Sequence, residues 1–432
     1  MAGYSLFCVA CGQTYADDGL RLRCDASHEP ALLRTRYAQT RLTTDPQASG
    51  LARYAAWLPL RHALRPMPAY SVTFRSDGLA RALGLRDLWI AFSGHWPERG
   101  AFAPTATFKD VEAAAITARF ASEQRIMVTA SAGNTAAALA LACSDAHVPV
   151  RIVTPRRAYD RLPLTRELAP HVQFIVLDGE ATYDDAIELA RTLAHEAPFV
   201  FEGGVWNVAR RDGIGTIFLR AVEAMSTMPD VYVQGIGSGA GAIAAFEAAS
   251  RLLGDGRFGA KFPELLLVQN APMSPVVDAW TRGSAQLLAA SSSEQRTAAA
   301  GVAAPVLATS GPPYAVRGGL FDVLTATSGR TLAVDNAKAQ SAMELFAESE
   351  GIYVEAAAGV ALAGLQSDIL TGTIDPDARV LLHVTGGGRL RLPGERRLAP
   401  TIAATLAASD LPATPDVLAS LREKLLQHAQ AA

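Results

Sequence analysis

Cysteine is scarce in this chain of 432 residues, and so are long apolar runs. Three of the four cysteines, Cys8, Cys11 and Cys24, lie within the first 24 residues. That distribution is unlike the disulfide framework of small secreted domains. We therefore expect a reducing, cytoplasmic location for the protein.

Several other features are missing as well. No uncharged apolar stretch reaches the length of about 18 residues that a membrane-spanning helix needs. The N-terminus has no basic segment followed by an apolar run, so we expect no secretory signal peptide. The net charge is only −3. Such a weak field favours neither nucleic acid nor an acidic membrane surface as a partner.

What the sequence does contain is an alternation of short apolar runs with longer alanine-rich stretches. Runs that are apolar nearly throughout predict buried strands, and the stretches between them predict helices. This alternation is typical of α/β proteins with mostly parallel sheets. Segment 281–305 is rich in Ser and Ala and is predicted to be a surface connection with some helix. The predicted strands are 126–130, 148–154, 172–177, 231–237, 264–270 and 379–387, and the predicted helices are 110–124, 134–146, 183–196 and 240–253.

Ligands of open α/β sheets bind beyond the carboxyl ends of the strands, so the segments at those ends carry most information. Lys109 begins a predicted helix within PTATFKDVEAAA (104–115). Taken alone, such a lysine is more often a solvated surface residue. If partial burial and the start of the helix lower its pKa, it is instead suited to form a Schiff base.

Three further strand-end segments suit an anionic cofactor. SAGNT (131–135) opens a helix whose free N–H groups can bind an anion or a phenolic oxygen, although simple helix capping explains the same residues. GSGAG (237–241) also opens a helix, and its glycines let the backbone approach a phosphate. Its spacing differs from the dinucleotide fingerprint G-x-G-x-x-G. Thr385 precedes three glycines, where a hydroxyl can bond a pyridine nitrogen; a structural turn is the alternative.

The order of these segments resembles the fold-type II pyridoxal-phosphate enzymes, the group of tryptophan synthase β and threonine synthase. PTATFKDVEA, ASAGNTAAAL and EAAAGVALAG (355–364) are similar to the threonine synthase segments PTGSFKDRG, SSGNTGAA and EPASAVALAG. Other stretches resemble the cysteate synthases, paralogues of threonine synthase. Examples are YSLFCVACG at the N-terminus, RYAAWLPL (53–60), ARRDGIG (209–215) and LVQNAPMSPVVDAW (267–280). The resemblance covers nearly the whole chain.

This resemblance implies two three-layer αβα domains after an N-terminal ribbon-like segment. The implied ranges are 1–45 for the ribbon, 46–120 with 215–432 for the large cofactor-binding domain, and 121–214 for the small domain. It also implies that Lys109 holds pyridoxal 5'-phosphate as a Schiff base and moves the substrate's α-proton. The implied cofactor contacts are Asn134 on the phenolic oxygen, Gly237, Ser238, Gly239, Ala240 and Gly241 on the phosphate, and Thr385 on the pyridine nitrogen.

The implied reaction is loss of phosphate from O-phospho-L-serine through an aminoacrylate, followed by addition of sulfite to give L-cysteate. The partners are then a phosphorylated amino acid and a small anion, and we expect a homodimer. Both substrates are anions, so the pocket needs N–H donors and positive charge. The candidates are Thr105, Thr107, Ser131, Ala132, Gly133 and Thr135 as donors, and Arg210, Arg211, Arg317 and Arg389 as cations, with solvated surface arginines as the alternative.

Departures from the family patterns keep other functions open. FKDVE and GGGRLRL replace the FKDRG and GHGLKD of threonine synthases, which disfavours threonine synthesis from O-phosphohomoserine. PTATFKD also departs from the TxSFKE of cysteate synthases, so a related β-replacement with another nucleophile remains an alternative. A cofactor-free binding protein with the same fold and a nicotinamide dehydrogenase are the alternatives from other classes.

The N-terminal cysteines have the spacing Cys8-x2-Cys11-x12-Cys24, and His28 follows as a potential fourth ligand. This pattern resembles a small zinc ribbon. Ribbons usually carry two Cys pairs and only one is intact here, so a degenerate ribbon without metal is the alternative. Any zinc is expected to be structural, because no catalytic residue accompanies the cluster. Cys143, in an alanine-rich stretch, is predicted to be a core residue.

Overall fold

The computed structural model describes residues 3–392 and 400–430. Positions 1–2, 393–399 and 431–432 of the predicted domain ranges lie outside the described residues. The strands are β1 Tyr4–Cys8, β2 Thr14–Tyr15, β3 Leu33–Tyr37, β4 Ser71–Arg75, β5 Asp87–Ser93, β6 His95–Trp96, β7 Ala101–Phe102, β8 Ile126–Ala130, β9 Val150–Pro155, β10 Val172–Asp178, β11 Phe199–Phe201, β12 Val231–Gly235, β13 Glu264–Asn270, β14 Arg330–Val334, β15 Arg379–Val384 and β16 Ile402–Ala407. The helices are α1 Asp77–Leu83, α2 Lys109–Arg119, α3 Asn134–Ala146, α4 Arg156–Tyr159, α5 Tyr183–Leu193, α6 Val208–Met225, α7 Ala240–Asp255, α8 Pro275–Thr281, α9 Ser292–Ala300, α10 Leu320–Ala326, α11 Asn336–Glu350, α12 Ala356–Leu370 and α13 Pro415–Gln430.

The larger sheet has six strands in the order β14-β13-β12-β15-β5-β4, all parallel except the edge strand β4. Successive side chains of a strand point to opposite faces. In β13, Leu265 and Leu267 therefore pack towards α6 and α7, whereas Leu266 and Val268 pack towards α11 and α12. Both faces of this sheet are covered by helices, so it is the middle of three layers.

The smaller sheet has five parallel strands in the order β11-β8-β9-β10-β16. Helices α2 and α3 cover one face, and α5 and α13 cover the other. The predicted α/β class with mostly parallel sheets and two three-layer units is thus confirmed. The six predicted strands and four predicted helices are all present, with ends shifted by a few residues. Segment 281–305 contains α9 on the surface, as expected.

The C-terminal part of the chain corrects the predicted domain ranges. Strand β16 pairs with β10, so residues 402–430 belong to the smaller sheet and not to the larger one. The reason is burial: Ala403 and Leu406 of β16, together with Leu421 and Leu425 of α13, join the apolar cluster under α5. This pairing is between segments far apart in the chain, and local patterns do not reveal it.

Helix α2 is shorter than predicted, because Phe120 is extended and ends it at Arg119. A three-stranded antiparallel sheet, β2-β1-β3, forms the N-terminal region. It packs through Leu6 and Leu33 against Val208 at the start of α6. Among the described residues, no helix combines the length and apolar character needed to cross a bilayer.

Candidate active site

The chemically distinctive segments meet where strands end and helices begin. The loop before α2 lies against the loop after β15: Phe108 N–H donates to Thr385 O and Gly387 N–H donates to Ala106 O, both at 3.0 Å. The same β15 loop contacts the start of α12, where Glu355 N–H donates to Gly386 O at 3.0 Å. The lysine loop, the loop after β15 and the start of α12 therefore lie together, and β12, which precedes Gly237–Gly241, is the neighbour of β15 in the sheet.

The loop that carries Lys109 is held by its own side chains. Asp110 Oδ2 accepts hydrogen bonds from the N–H and the hydroxyl of Thr105, both at 2.9 Å. Thr107 lies 2.9 Å from the Thr105 hydroxyl and accepts from Lys109 N–H at 3.3 Å. Both threonines are buried and shape the loop, so the structure gives no support for their predicted contact with substrate.

Buried charges surround the lysine amine. Lys109 Nζ lies 3.1 Å from Glu112 Oε2, and Glu112 Oε1 accepts from Arg210 Nη1 at 2.6 Å. Arg210 Nη2 in turn donates to Glu202 Oε2 at 2.6 Å. Glu112 is fully buried, and Arg210 and Glu202 are nearly so. We call these four residues, Lys109, Glu112, Arg210 and Glu202, the charged wall.

The surroundings of Lys109 influence whether its amine is protonated. Burial lowers the pKa of Lys109 below its usual value, and the Glu112 carboxylate acts in the opposite direction. A lowered pKa leaves more of the amine neutral, which is the nucleophilic form. Lys109 keeps 20% of its side chain exposed and so remains accessible to a ligand. Two carboxylates share Arg210, so its positive charge is already balanced, contrary to its predicted role on an anionic substrate.

The loop after β8 lies beside this wall. Thr135 Oγ1 donates to Glu112 Oε1 at 3.1 Å, and Asn134 Nδ2 donates to Glu355 Oε2 at 3.2 Å. Ser131 Oγ accepts from Gly133 N–H at 3.4 Å and so helps to shape the turn, while Ala132 is exposed. The predicted residues 131–135 are therefore brought to the lysine, at the start of α3.

Glu355 and Arg389 form an ion pair at the edge of the site, with Arg389 Nη1 3.6 Å from Glu355 Oε1. Burial raises the pKa of Glu355, while Arg389 and the Asn134 amide act in the opposite direction. Arg389 keeps 34% of its side chain exposed. Unlike Arg210, it has access to a ligand from solvent.

Glycines form the remaining side. We call Gly237–Gly241 and Thr385–Gly388 together the glycine wall. Gly239 precedes α7 with φ +73°, and a Cβ there would lie 2.5 Å from Leu320 Cδ1. A Cβ on Gly241 would lie 2.3 Å from Gln234 Nε2. The left-handed backbone favours glycine at 239, and a side chain at either position would displace its neighbour, so small residues here leave the free N–H groups at the start of α7 open to an anion.

Arg211 and Arg317 are not part of this site. Arg211 is fully buried, pairs with Glu247 at 3.1 Å and donates to the carbonyls of Leu33 and Val205. Arg317 is exposed, pairs with Asp322 at 3.2 Å and lies beside the N-terminal region, where its N–H donates to Pro30 O. The structure therefore gives no support for their predicted contact with substrate.

Three residues of the site were not recognised as functional from the sequence. Glu112 and Glu355 stand in the segments FKDVEA and EAAAG, which were compared only as patterns. Thr309 approaches the glycine wall, with its hydroxyl 3.1 Å from the place that a Gly237 Cβ would take. The replacement of the family's glycine by Glu112 in FKDVE was the one available signal, because an acidic residue three positions after a helical lysine faces it.

The residues present fit a cofactor that has both a carbonyl and a phosphate. Lys109 offers an accessible amine of lowered pKa. The glycine wall offers a cradle that side chains would fill. Thr385, buried at the end of β15, offers a neutral hydroxyl. A separate cavity of about 600 Å³ is lined by Asp110, Tyr70 and α3 residues but by neither Lys109 nor Glu112, so it is not this site.

At the N-terminus, Cys8, Cys11, Cys24 and His28 come together. One potential ligand atom from each lies within 4.8 Å of the others. Cys143 is fully buried among α3 residues, as predicted for a core position.

Comparison with known proteins agrees with this geometry. The sequence profile of the pyridoxal-phosphate-dependent enzymes matches residues 74–386. The cysteate synthase of Methanospirillum hungatei is 44% identical over 393 residues, 90% of this chain and 91% of that protein. The cysteate synthase of Methanosphaerula palustris is 45% identical over 402 residues, 92% of this chain and 93% of that protein.

Solved structures are similar in fold at lower identity. Maize serine racemase superimposes with a TM-score of 0.56 at 18% identity, covering 74% of this chain and 89% of that one. Threonine deaminase isoform 2 from Solanum lycopersicum gives a TM-score of 0.56 at 15% identity, covering 75% and 87%.

Proposed function

Because the chain belongs to the pyridoxal-phosphate-dependent enzymes and, among them, to the cysteate synthase family, we propose that it makes L-cysteate. The proposed substrates are O-phospho-L-serine and sulfite, and phosphate is the second product. The observation that supports this reaction is the similarity to cysteate synthases over nine tenths of the chain.

Pyridoxal 5'-phosphate, the cofactor of this family, would be held by residues of both walls. Lys109 would bind it covalently through Nζ, the N–H groups of Gly239, Ala240 and Gly241 would bind its phosphate, and Thr385 would face its ring nitrogen. When bound, pyridoxal phosphate supplies an electron sink for charge that develops on the substrate's α carbon.

The chain's own residues would handle the proton and the charges. Lys109 Nζ would accept and return the substrate's α-proton, since burial lowers its pKa and so favours the neutral amine. Glu112 would hold Nζ in place by the contact at 3.1 Å. Gly133, Asn134 and Thr135 at the start of α3 would bind the substrate carboxylate through helix N–H groups.

The anionic groups of the two substrates need a cation that a ligand can reach from solvent. Arg389 is the best placed of the four predicted arginines, because it is partly exposed and pairs with Glu355 at the edge of the site. We propose that it binds the phosphate of O-phosphoserine or the incoming sulfite.

The reaction is tested by incubating the reconstituted protein with O-phospho-L-serine and sulfite, and measuring phosphate and L-cysteate. We expect both products in equal amounts, and none from Lys109→Ala. Lys261→Ala is the matched control, since that lysine is 84% exposed. Phosphate and threonine from O-phosphohomoserine, with no cysteate from O-phosphoserine, would refute the proposal.

The attachment site is tested separately by borohydride reduction and peptide mapping. The chain has four lysines, Lys109, Lys261, Lys338 and Lys424, so the assignment is unambiguous. We expect the reduced cofactor on the Lys109 peptide. Its presence on another lysine would contradict the assignment, whatever the substrates are.

The role of Arg389 is tested by comparing Arg389→Ala with Arg317→Ala. Loss of one charge-assisted contact costs about 1.5–3 kcal/mol, so KM for O-phosphoserine should rise about tenfold or more in Arg389→Ala. Arg317→Ala should leave it unchanged. Equal KM values in the two variants would remove Arg389 from the binding site.

We also propose a homodimer that acts in the cytoplasm. Light scattering coupled to gel filtration tests the first part, with twice the mass of 45.5 kDa as the expected result. Cell fractionation tests the second.

A further inference from the structure

Two pairs among the four potential ligands at the N-terminus have the spacing of a tetrahedral zinc site, and all four ligand atoms lie within 4.8 Å of one another. Zinc bonds of about 2.3 Å to sulfur and about 2.0 Å to nitrogen set the ligand atoms about 3.5–3.8 Å apart. Cys11 Sγ lies 3.6 Å from Cys24 Sγ, and Cys8 Sγ lies 3.4 Å from His28 Nε2. The thiols are free, so no disulfide accounts for their approach.

The surrounding backbone orients these ligands. The turn between β1 and β2 is closed by Gly12 N–H donating to Cys8 O and by Cys8 N–H donating to Gln13 O, both at 2.9 Å. Cys8 and Cys11 both belong to this turn. Ala26 N–H donates to Cys24 Sγ at 3.4 Å, a contact that favours thiolate.

His28 is oriented by the contact that metal-binding histidines usually make. Its Nδ1 lies 2.6 Å from Glu29 O, so Nδ1–H donates to that carbonyl and Nε2 is left as the ligand atom. Nε2 is the nitrogen that faces Cys8 Sγ. Both the ligand distances and this outer contact therefore suit a bound metal.

We call residues 16–32, between β2 and β3, the N-terminal loop. Cys24 and His28 lie in this loop, and the cluster joins them to Cys8 and Cys11. The loop contains no helix and no strand. Leu22 packs so closely on Gly203 that a Cβ there would lie 2.4 Å from it. The guanidinium of Arg23 lies 4.6 Å from the Trp206 ring. The loop thus covers residues 203–206, which directly follow Glu202.

A chain of buried polar contacts continues from this loop to the charged wall. Asp17 accepts from Arg119 at 2.8 and 2.7 Å. Arg119 Nη1 donates to Asn207 Oδ1 at 2.9 Å, and Asn207 Nδ2 donates to Glu202 O at 2.9 Å. Glu202 then binds Arg210 of the charged wall.

We propose that Cys8, Cys11, Cys24 and His28 bind one structural zinc ion, and that this ion fixes the N-terminal loop against residues 202–207. The ion takes no part in the chemistry. It positions Glu202 and, through it, the charged wall. Its ligands lie outside residues 74–386, the part of the chain matched by the pyridoxal-phosphate enzyme profile, so the proposal stands independently of the proposed reaction.

Metal content is the first test. Protein from cells grown with zinc should contain one zinc per chain by mass spectrometry of the metal. The Cys11 side chain is exposed, so its replacement in Cys11→Ser should not disturb packing and the variant should fold. Its zinc content should fall about tenfold or more. His28→Ala should behave in the same way. Cys143→Ala, which changes a cysteine outside the cluster, should keep its zinc.

Limited trypsin digestion is the second test. Arg21 and Arg23 lie in the N-terminal loop, so Cys11→Ser should be cut there at least severalfold faster than the wild type, with peptides identified by mass. Arg23→Gln on the Cys11→Ser background should remove one of the two cuts. The proposal is overturned if the wild type holds no zinc after zinc-rich growth, or if the N-terminal loop is cut equally in both proteins.

Discussion

The two walls of the candidate site are built from opposite kinds of material. The glycine wall offers backbone N–H groups, and a Cβ on Gly239 or Gly241 would displace the end of the Leu320 or Gln234 side chain. The charged wall consists of paired side chains, and the pair of Arg210 with Glu112 joins two distant parts of the chain.

This difference shows where each wall is vulnerable. A backbone wall depends on local conformation, so substitution of one glycine should harm cofactor binding. A wall of buried charges depends on charge compensation among its members, since each ion has lost its hydration and is stabilised mainly by its partners. Removal of one charge should therefore destabilise the protein as a whole.

The largest effect is expected for Glu112→Ala. It leaves Lys109 without its carboxylate and Arg210 with one partner, and breaking a buried ion pair costs about 3–5 kcal/mol. The measurement is the free energy of unfolding in urea. Glu98→Ala is the control, because its pair with Arg391 is at the surface, where such pairs contribute about 0–1 kcal/mol. Equal losses of unfolding free energy in the two variants would show that charge compensation within the charged wall does not stabilise the protein.

Asp110→Asn should change how stability depends on pH. Burial raises the pKa of Asp110 to about 7, against about 3.9 in the unfolded chain. The folded state binds this proton more tightly, so the group's contribution to stability falls as pH rises from about 4 to 7, by at most about 1.4 kcal/mol per unit. The variant lacks this decline, so its stability relative to the wild type should increase over that range and level off above it.

Urea unfolding at several pH values between 5 and 8 measures this difference. Asp377→Asn is the control, since Asp377 is 61% exposed. A constant difference between Asp110→Asn and the wild type across the range would contradict the raised pKa.

Gly239→Ala tests the glycine wall. The left-handed backbone costs alanine about 1–2 kcal/mol, and the side chain would also press on Leu320, so cofactor affinity should fall about tenfold or more. Gly254→Ala in the same helix is the control, because nothing lies within 4 Å of its Cβ position and alanine is the better helix residue by about 0.5–1 kcal/mol. Cofactor titration separates the two. Unchanged affinity in Gly239→Ala would exclude this loop from binding.

The smallest effect is expected for Ala106→Gly in the lysine loop. Ala106 has φ +56°, where the family pattern PTGSFKD has glycine. Relief of about 1 kcal/mol of backbone strain is partly offset by the entropy of glycine in the unfolded chain, leaving a gain of about 0.5 kcal/mol or less. Ala103→Gly, in the same loop but without positive φ, should instead destabilise the protein. Loss of stability in both variants would contradict the strain at Ala106.

The parts of the candidate site that the sequence pointed to are those with local signals. Lys109, Asn134 and the glycines of 237–241 each stand where a strand pattern gives way to a helix pattern, and helices α2, α3 and α7 begin there. Arg210 and Arg211 show the limit. They are neighbours in sequence, but successive helix residues point about 100° apart. One reaches Glu112, and the other reaches Glu247.

The sequence by itself determined the α/β class, the order of the segments and the residues at the strand ends, because strand and helix periodicity and glycine placement act over a few positions. Only the tertiary structure decided the pairing of β16 with β10, the balance of charge around Arg210 and the contact of the N-terminal loop with residues 203–206. These depend on contacts between residues far apart in the chain. Their partners are selected by burial and charge compensation in the folded protein, and neither acts along the sequence.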